Sequence, residues 1–360
     1  MEDSMATNGG DGPYSYKKNS KYQKEALDRA KFLLQTSIQE KLDIAEGPNT
    51  DTKPRVFRIA DLGCSVGPNT FICVQTIIES VVLKYKFSGL EFNLPEFQVF
   101  FNDVTINDFN TLFKGLPLDR NYMAAAVPGS FHGQLFPKGS INLMHTSSSL
   151  QWLGKVPKEV TEKDSTAWNK GRISYSDSSY EVVKAFANQF QRDMVTFFRM
   201  RSLELAKGGL MVIVMPCRED GSLPSDSITI RVVECLAYAL ADMAKEGLID
   251  EALLDSFNVP AYIPAVSELT EVVMENGNFT IEVLEKTFSP TVLNTSEQIQ
   301  IFCLHMRAVM EGLVSKHFGS QIIDELFFSR YPKKLEEFSE TAYYASVKKV
   351  ETLFLPVKRK

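Results

Sequence analysis

An apolar run, VFRIADLG at residues 56–63, breaks at Asp61-Leu62-Gly63-Cys64-Ser65-Val66-Gly67-Pro68-Asn69 into a helical pattern. The run is short and mainly apolar, which predicts a buried strand. Pro68 suits the first turn of the helix that follows. Glycines in such a turn let the backbone approach a ligand closely. The spacing is G-x-x-x-G preceded by an acid, not the G-x-G-x-x-G of a dinucleotide fingerprint. An aspartate beside the turn would repel a pyrophosphate at the helix N-terminus, whose N–H groups favour anions. It would favour a cationic ligand such as the methionine end of S-adenosylmethionine. A second acid, Asp103, closes the next apolar run, FQVFFND. A carboxylate at that strand end can accept both hydroxyls of a ribose.

The remaining chain supports that frame. YMAAAV (122–127), INLMHT (141–146) and LMVIVMP (210–216) read as further strands. Helices are predicted over 20–43, from Pro68, and over about 180–206 up to Gly208-Gly209. Alternation of this kind implies an α/β fold with a largely parallel sheet and right-handed crossovers. From about 220 to 320 the pattern turns mostly helical, through ITIRVVECLAYALADMAKEG and QIFCLHMRAVMEGLVSKHFG. This stretch is expected to cap the carboxyl ends of the strands, where open α/β sheets bind ligands. VETLFLPVK (350–358) alternates and reads as a late antiparallel strand. The expected division is a flexible tail over 1–14, an α/β domain over 15–218 plus 277–360, and a helical cap over 219–276 plus part of 295–320. A polar break is expected at 47–53.

Net charge is −6, with no basic block to track a phosphate backbone, so nucleic acid is not an expected partner. No apolar stretch reaches membrane-spanning length, and MEDSMATNGGDG lacks the core of a signal peptide. The five cysteines (Cys64, Cys73, Cys217, Cys235, Cys303) are scattered without a CxxC pair, which suggests a reducing, cytoplasmic setting.

Many segments together resemble the plant SABATH methyltransferases. They are SYKKNSKYQ (15–23), IADLGCSVGPNTF (59–71), FFNDVTINDFNTLF (100–113), VPGSFHGQLFP (127–137), SSSLQWLGKVPKEV (147–160), WNKGRI (168–173), GLIDEALLDSFNVPAYIP (247–264) and HMRAVMEGLVSKHFG (305–319). The resemblance implies a class I methyltransferase fold, Rossmann-like, with a mostly parallel seven-stranded sheet and a mainly helical cap. It implies an S-adenosylmethionine-dependent O-methyltransferase that forms the methyl ester of a small plant carboxylic acid, and a homodimer. Tyr16, Asp61, Cys64, Asn69, Asp103, Val104, Ser130, Phe131 and Ser147 would line the cofactor site, with Val104 in place of the usual leucine. Gln23 and Trp152 would hold the substrate carboxylate, flanked by Ser148 and Gln151. The family often has tyrosine at the Ser148 position, so the pocket is wider here. Val232, Val233, Met306 and Val309 would form the apolar wall, which is bulkier at the first two positions in salicylate-type members. A structural magnesium site found in some members maps to Asn169, Asp255, the Phe257 carbonyl and Asn258.

The chemistry agrees with the residues present. A carboxylic acid is already ionised at neutral pH, so its methylation by direct displacement needs no general base. The four histidines (His132, His145, His305, His317) fall in no hydrolase or metalloprotease motif. His145, at the end of an apolar strand, reads as a satisfied core histidine. The rival readings are an N-methyltransferase acting on a xanthine-like heterocycle, a nucleotide-dependent oxidoreductase, and a non-catalytic binding protein. Xanthine-type members tend to carry asparagine where this chain has Gln23.

Overall fold

The computed structural model describes residues 6–44, 56–290, 293–346 and 349–360. The strands are β1 (Val56–Leu62), β2 (Glu96–Asp103), β3 (Tyr122–Pro128), β4 (Ile141–Ser147), β5 (Leu205–Pro216), β6 (Phe279–Ile281), β7 (Glu285–Pro290) and β8 (Lys349–Arg359). They form one sheet in the order β3-β2-β1-β4-β5-β8-β6, with β7 paired to β8. β1 to β5 run parallel, and β8 is antiparallel to β5, β6 and β7. The alternating C-terminal segment is therefore the antiparallel strand its pattern predicts. The sheet has eight strands where the resemblance implies seven, and the two that the residue pattern does not announce, β6 and β7, both pair with β8.

The helices are α1 (Tyr16–Asn19), α2 (Lys21–Lys41), α3 (Pro68–Phe87), α4 (Phe109–Lys114), α5 (Tyr180–Glu204), α6 (Ile228–Lys245), α7 (Glu251–Ser256), α8 (Val266–Asn276) and α9 (Ser296–Phe318). α2 and α3 cover one face of the sheet, through Leu27, Leu34 and Ile38 against Val74, Ile77 and Ile78. α5 and α8 cover the other, through Phe186, Phe190 and Phe197 with Leu269 and Val273. α8 thus packs in the core of the α/β layer, although the sequence places it in the cap. α6 and α9 share a separate core with Leu326, Phe327, Tyr331 and Leu335, so the helices after 319 belong to the cap.

Two local expectations change. α5 stops at Glu204 and β5 starts at Leu205, so Gly208-Gly209 lie inside a strand and do not end the helix. Gly208 has a φ of 72°, next to a register shift between β4 and β5, which marks a bulge. The N-terminal segment, expected as a free tail, is tied down from residue 7 onward. Asn8 N–H donates to the Ala308 carbonyl at 2.8 Å and Gly10 N–H to the Asp108 carboxylate at 2.9 Å. Residues 47–53 lie outside the described residues. Among the described residues no helix is long and apolar enough to cross a membrane.

Candidate active site

The β1–α3 turn is fixed by what crowds it. A Cβ on Gly63, at φ 83°, would lie 2.1 Å from Ser149 Oγ, so no larger residue fits. Gly63 and Cys64 N–H donate to the Asn102 carbonyl at 2.9 and 3.0 Å, and Ser65 N–H donates to Asp103 Oδ2 at 2.7 Å. Three successive turn amides are thereby committed to β2. These three are not free to cradle a phosphate, which weighs against the oxidoreductase reading. Ser65 sits at φ 52° and Ser148, after β4, at φ 53°. Left-handed non-glycine residues are costly and gather at functional sites, and here both face the same ligand region.

A small cavity opens above this turn, lined by Tyr16, Gln23, Asp61, Cys64, Asn69, Thr70 and Ser147 among others. Asp61 stands opposite His145 in the β1–β4 register. Its Oδ1 lies 2.7 Å from His145 Nδ1, and its other oxygen accepts the Thr70 hydroxyl. His145 Nε2 is 3.4 Å from Cys73 Sγ. Burial opposes a charge on His145, but Cys73 and Asp61 outweigh it and push the pKa up to about 10. His145 is the satisfied core histidine read from the sequence, and it also anchors Asp61. Asp61 is consequently a braced member of an ion pair rather than a lone anion. Thr70 and His145 are the parts of this arrangement that sequence reasoning did not assign to the site; the shared strand level of Asp61 and His145 was the available signal.

Asp103 is held by Ser65 and by its own neighbour, Val104 N–H to Oδ1 at 2.8 Å. Burial raises its pKa to about 6, against the lowering effect of those two amides. Burial, reinforced by Asp103 and Asp61, keeps the Tyr16 phenol protonated. Asn69 Nδ2 donates to Ser20 O and Ser20 Oγ, both at 3.1 Å, and so pins the α1–α2 junction over the turn. Gln23 follows Ser20 within one helical turn and is carried to the same place.

Ser130 and Phe131 lie in the loop after β3 and do not themselves line the small cavity. Phe131 still reaches it, because its ring edge would meet a Cβ on Gly63 at 3.9 Å. The loop is held from behind by a fully buried ion pair. Arg201 donates to the carbonyls of Phe131 and Gly133 at 2.6 and 2.7 Å and to Glu204 at 2.8 Å. Glu204 Oε1 accepts from Leu135 and Phe136 N–H at 2.5 and 3.0 Å.

A larger cavity of about 250 Å³ adjoins the first, between β4, α2 and the cap. Gln23, Ser148, Gln151, Trp152, Val232, Val233, Met306 and Val309, all eight expected substrate residues, line it. Tyr16 and Gln23 line both cavities. Gln23 Oε1 is buried with no partner among the described residues. The walls are mainly apolar, and Glu25 is the one formally charged side chain among the lining residues. Thr7, from the tied-down N-terminal segment, also lines this cavity and lies 2.5 Å from Ser65 Oγ through its hydroxyl.

The expected magnesium quartet is gathered in one place, where three of its side-chain oxygens each accept a hydrogen bond. Asn169 Oδ1 accepts from Ser178, Asn258 Oδ1 from Asn169 Nδ2, and Asp255 Oδ1 from Gly171 N–H, at 2.7, 2.7 and 2.9 Å. Magnesium takes octahedral oxygen donors, and this corner would offer the Asp255 carboxylate, the Asn169 and Asn258 amide oxygens and the Phe257 carbonyl.

A family model described as SAM dependent carboxyl methyltransferase matches residues 2–360. The chain is 44% identical over 354 residues to loganic acid O-methyltransferase of Catharanthus roseus, covering 98% of this chain and 93% of that protein. It is 44% identical over 288 residues to farnesoic acid carboxyl-O-methyltransferase of Arabidopsis thaliana, covering 79% and 80%. A solved loganic acid methyltransferase with SAH superposes with a TM-score of 0.90, at 43% identity and 98% coverage of both chains. Two adjoining cavities, an acid–glycine turn whose first amides are committed to β2, and a full-length match in sequence and fold agree: the chain belongs to the SAM-dependent carboxyl methyltransferases.

Proposed function

We propose that this chain forms the methyl ester of a small, largely apolar carboxylic acid, with the carboxylate held by Gln23 and Trp152 where the two cavities meet. The observation that carries this reading is the position of Gln23, which lines both cavities. S-adenosylmethionine, when bound, supplies a methyl group on a positively charged sulfur, which a carboxylate oxygen takes by direct displacement with no proton moved.

The task left to the chain is alignment, which contributes up to about 7–11 kcal/mol in well-oriented systems. Tyr16, Asp61, Cys64, Asn69, Asp103, Val104, Ser130, Phe131 and Ser147 would hold the methyl donor. Val232, Val233, Met306 and Val309 would shape the apolar wall, and Ser148 and Gln151 the floor beside Trp152. Neutral donors suit the carboxylate here. Among the described residues no lysine or arginine lines the cavity to compete with the sulfonium for its charge.

Trp152→Phe keeps the ring but removes the indole N–H. The expected loss is roughly 1.5–3 kcal/mol, or about 10- to 150-fold in kcat/KM, with cofactor affinity barely changed. With S-adenosylmethionine saturating, activity should be flat from pH 7 to 9, since the acid is ionised throughout. A steep rise near pH 7, or full activity in the variant, would contradict the clamp.

A further inference from the structure

In the proposed site Phe131 faces the methyl donor and Trp152 the carboxylate. The two sit on different segments, the loop after β3 and the turn after β4. One side chain, His132, lies between them.

His132 is fixed on its loop from both sides. Arg201 donates to the carbonyls of Phe131 and Gly133 at 2.6 and 2.7 Å, and His132 N–H donates to Ser130 Oγ at 3.3 Å. The Phe131 and His132 rings meet edge to face, with centroids 4.7 Å apart. The Cδ2–Nε2 edge of the imidazole packs on Gly154. A Cβ at Gly154 would lie 3.3 Å from His132 Cδ2, 3.7 Å from Nε2 and 3.4 Å from Asp193 Oδ1, so glycine is what lets ring and backbone approach this closely.

The segment approached is Trp152–Gly154. Its amides are tied to other elements: Trp152 N–H donates to the Ser149 carbonyl, Leu153 N–H to the Pro260 carbonyl and Gly154 N–H to Asp193 Oδ2, at 3.1, 2.8 and 2.9 Å. The Trp152 backbone is in turn a hydrogen-bond partner of the His132 ring. Burial lowers the His132 pKa and outweighs Asp193 and the hydrogen bonds to the Asp193 and Trp152 backbones, which raise it; the ring is neutral at ordinary pH. Nδ1 is buried with no partner among the described residues. The one proton of the neutral ring therefore sits on Nε2, the nitrogen on the Gly154 side.

Building on the reading that the Trp152 N–H clamps the carboxylate, we infer that His132 is a positioning residue for Trp152. It holds the Trp152 backbone against the cofactor loop, and so sets the angle at which the indole N–H presents a carboxylate oxygen to the methyl group. Alignment is the chain's share of the catalysis, and a small misplacement of an aligning group is costly in rate.

The test uses whichever of hexanoic, decanoic and phenylpropanoic acid the native enzyme methylates fastest, with S-adenosylmethionine saturating. His132→Leu removes the ring N–H and is expected to lower kcat about 10-fold, whereas His132→Gln returns an N–H and should retain most of the activity. In a Trp152→Phe background, which has no indole N–H to aim, the same His132→Leu should cost less than about twofold. Gly154→Ala, which crowds the ring from the backbone side, should give a smaller loss with the same dependence on Trp152, and serves if the leucine variant does not fold. An equal loss in both backgrounds is a structural effect and overturns the inference, as does full activity in His132→Leu. A second readout needs no acid. Trp152 and Trp168 are the two tryptophans, so in Trp168→Phe the emission is that of Trp152 alone. Its anisotropy should fall when His132→Leu is added and recover with His132→Gln; an unchanged signal overturns the inference. A loosened indole in an enzyme that methylates none of the acids leaves the hold of His132 on Trp152 standing and sinks the carboxyl reading.

Discussion

Asp103→Ala is expected to raise the dissociation constant for S-adenosylmethionine by about 100-fold or more. Asp103 ends β2 with one oxygen on Ser65 N–H and the other on Val104 N–H. Both bonds use one lone pair each, which leaves each carboxylate oxygen a lone pair for a further donor. Two charge-assisted bonds to ribose hydroxyls, at about 1.5–3 kcal/mol each, account for the expected loss. The substitution also frees the Ser65 amide, at a residue already held at φ 52°, so the turn itself loosens. Burial sets the pH behaviour. With its pKa raised to about 6, Asp103 takes up a proton as pH falls through that value, and cofactor affinity should fall with it. The stability sign is opposite. The folded chain binds this proton more tightly than the unfolded chain, so the group's contribution to stability declines as pH rises from about 4 to about 6. Calorimetry on both proteins from pH 5 to 8 checks each point. Unchanged affinity in the variant would remove Asp103 from the cofactor site.

Arg201→Leu should cost about 3–5 kcal/mol of stability, because it leaves Glu204 as an uncompensated buried charge. Both side chains are fully buried, and between them they hold two carbonyls and two amides of the 129–136 loop. That loop carries Ser130 and Phe131, so cofactor affinity should fall together with stability. Urea denaturation of Arg201→Leu, Glu204→Leu and the double variant separates the effects. The double variant should lose less than the sum of the singles, since the orphaned charge is gone. A single-variant loss below about 1 kcal/mol would mean that the pair does not brace the loop.

How much of this was legible in the sequence depends on the range of the contact. The acid–glycine turn, the strands that frame it and Pro68 at the start of α3 are local patterns, and all are found where their periodicity places them. The eight substrate-side residues were identified by resemblance, and they do share one cavity although they come from α2, the β4 loop, α6 and α9. Contacts set by strand register were harder to see. Nothing in the residues near Asp61 announces that His145, 84 positions away, will neutralise it. Gly208-Gly209 looked like a helix stop because a bulge and a C-cap both call for glycine. The N-terminal segment looked free because its anchors, Ala308 and Asp108, are backbone and side-chain partners far along the chain.

The most direct test of the central claim is the identity of the methylated product. The enzyme would be incubated with S-adenosylmethionine carrying a deuterated methyl group and a panel of apolar carboxylic acids and xanthine-like heterocycles. Products would be read by mass spectrometry before and after mild alkaline hydrolysis. A labelled methyl ester that alkali returns to the parent acid is the expected result. A labelled product that survives alkali with its methyl on nitrogen would contradict carboxyl methylation and show that the cavity serves a heterocycle.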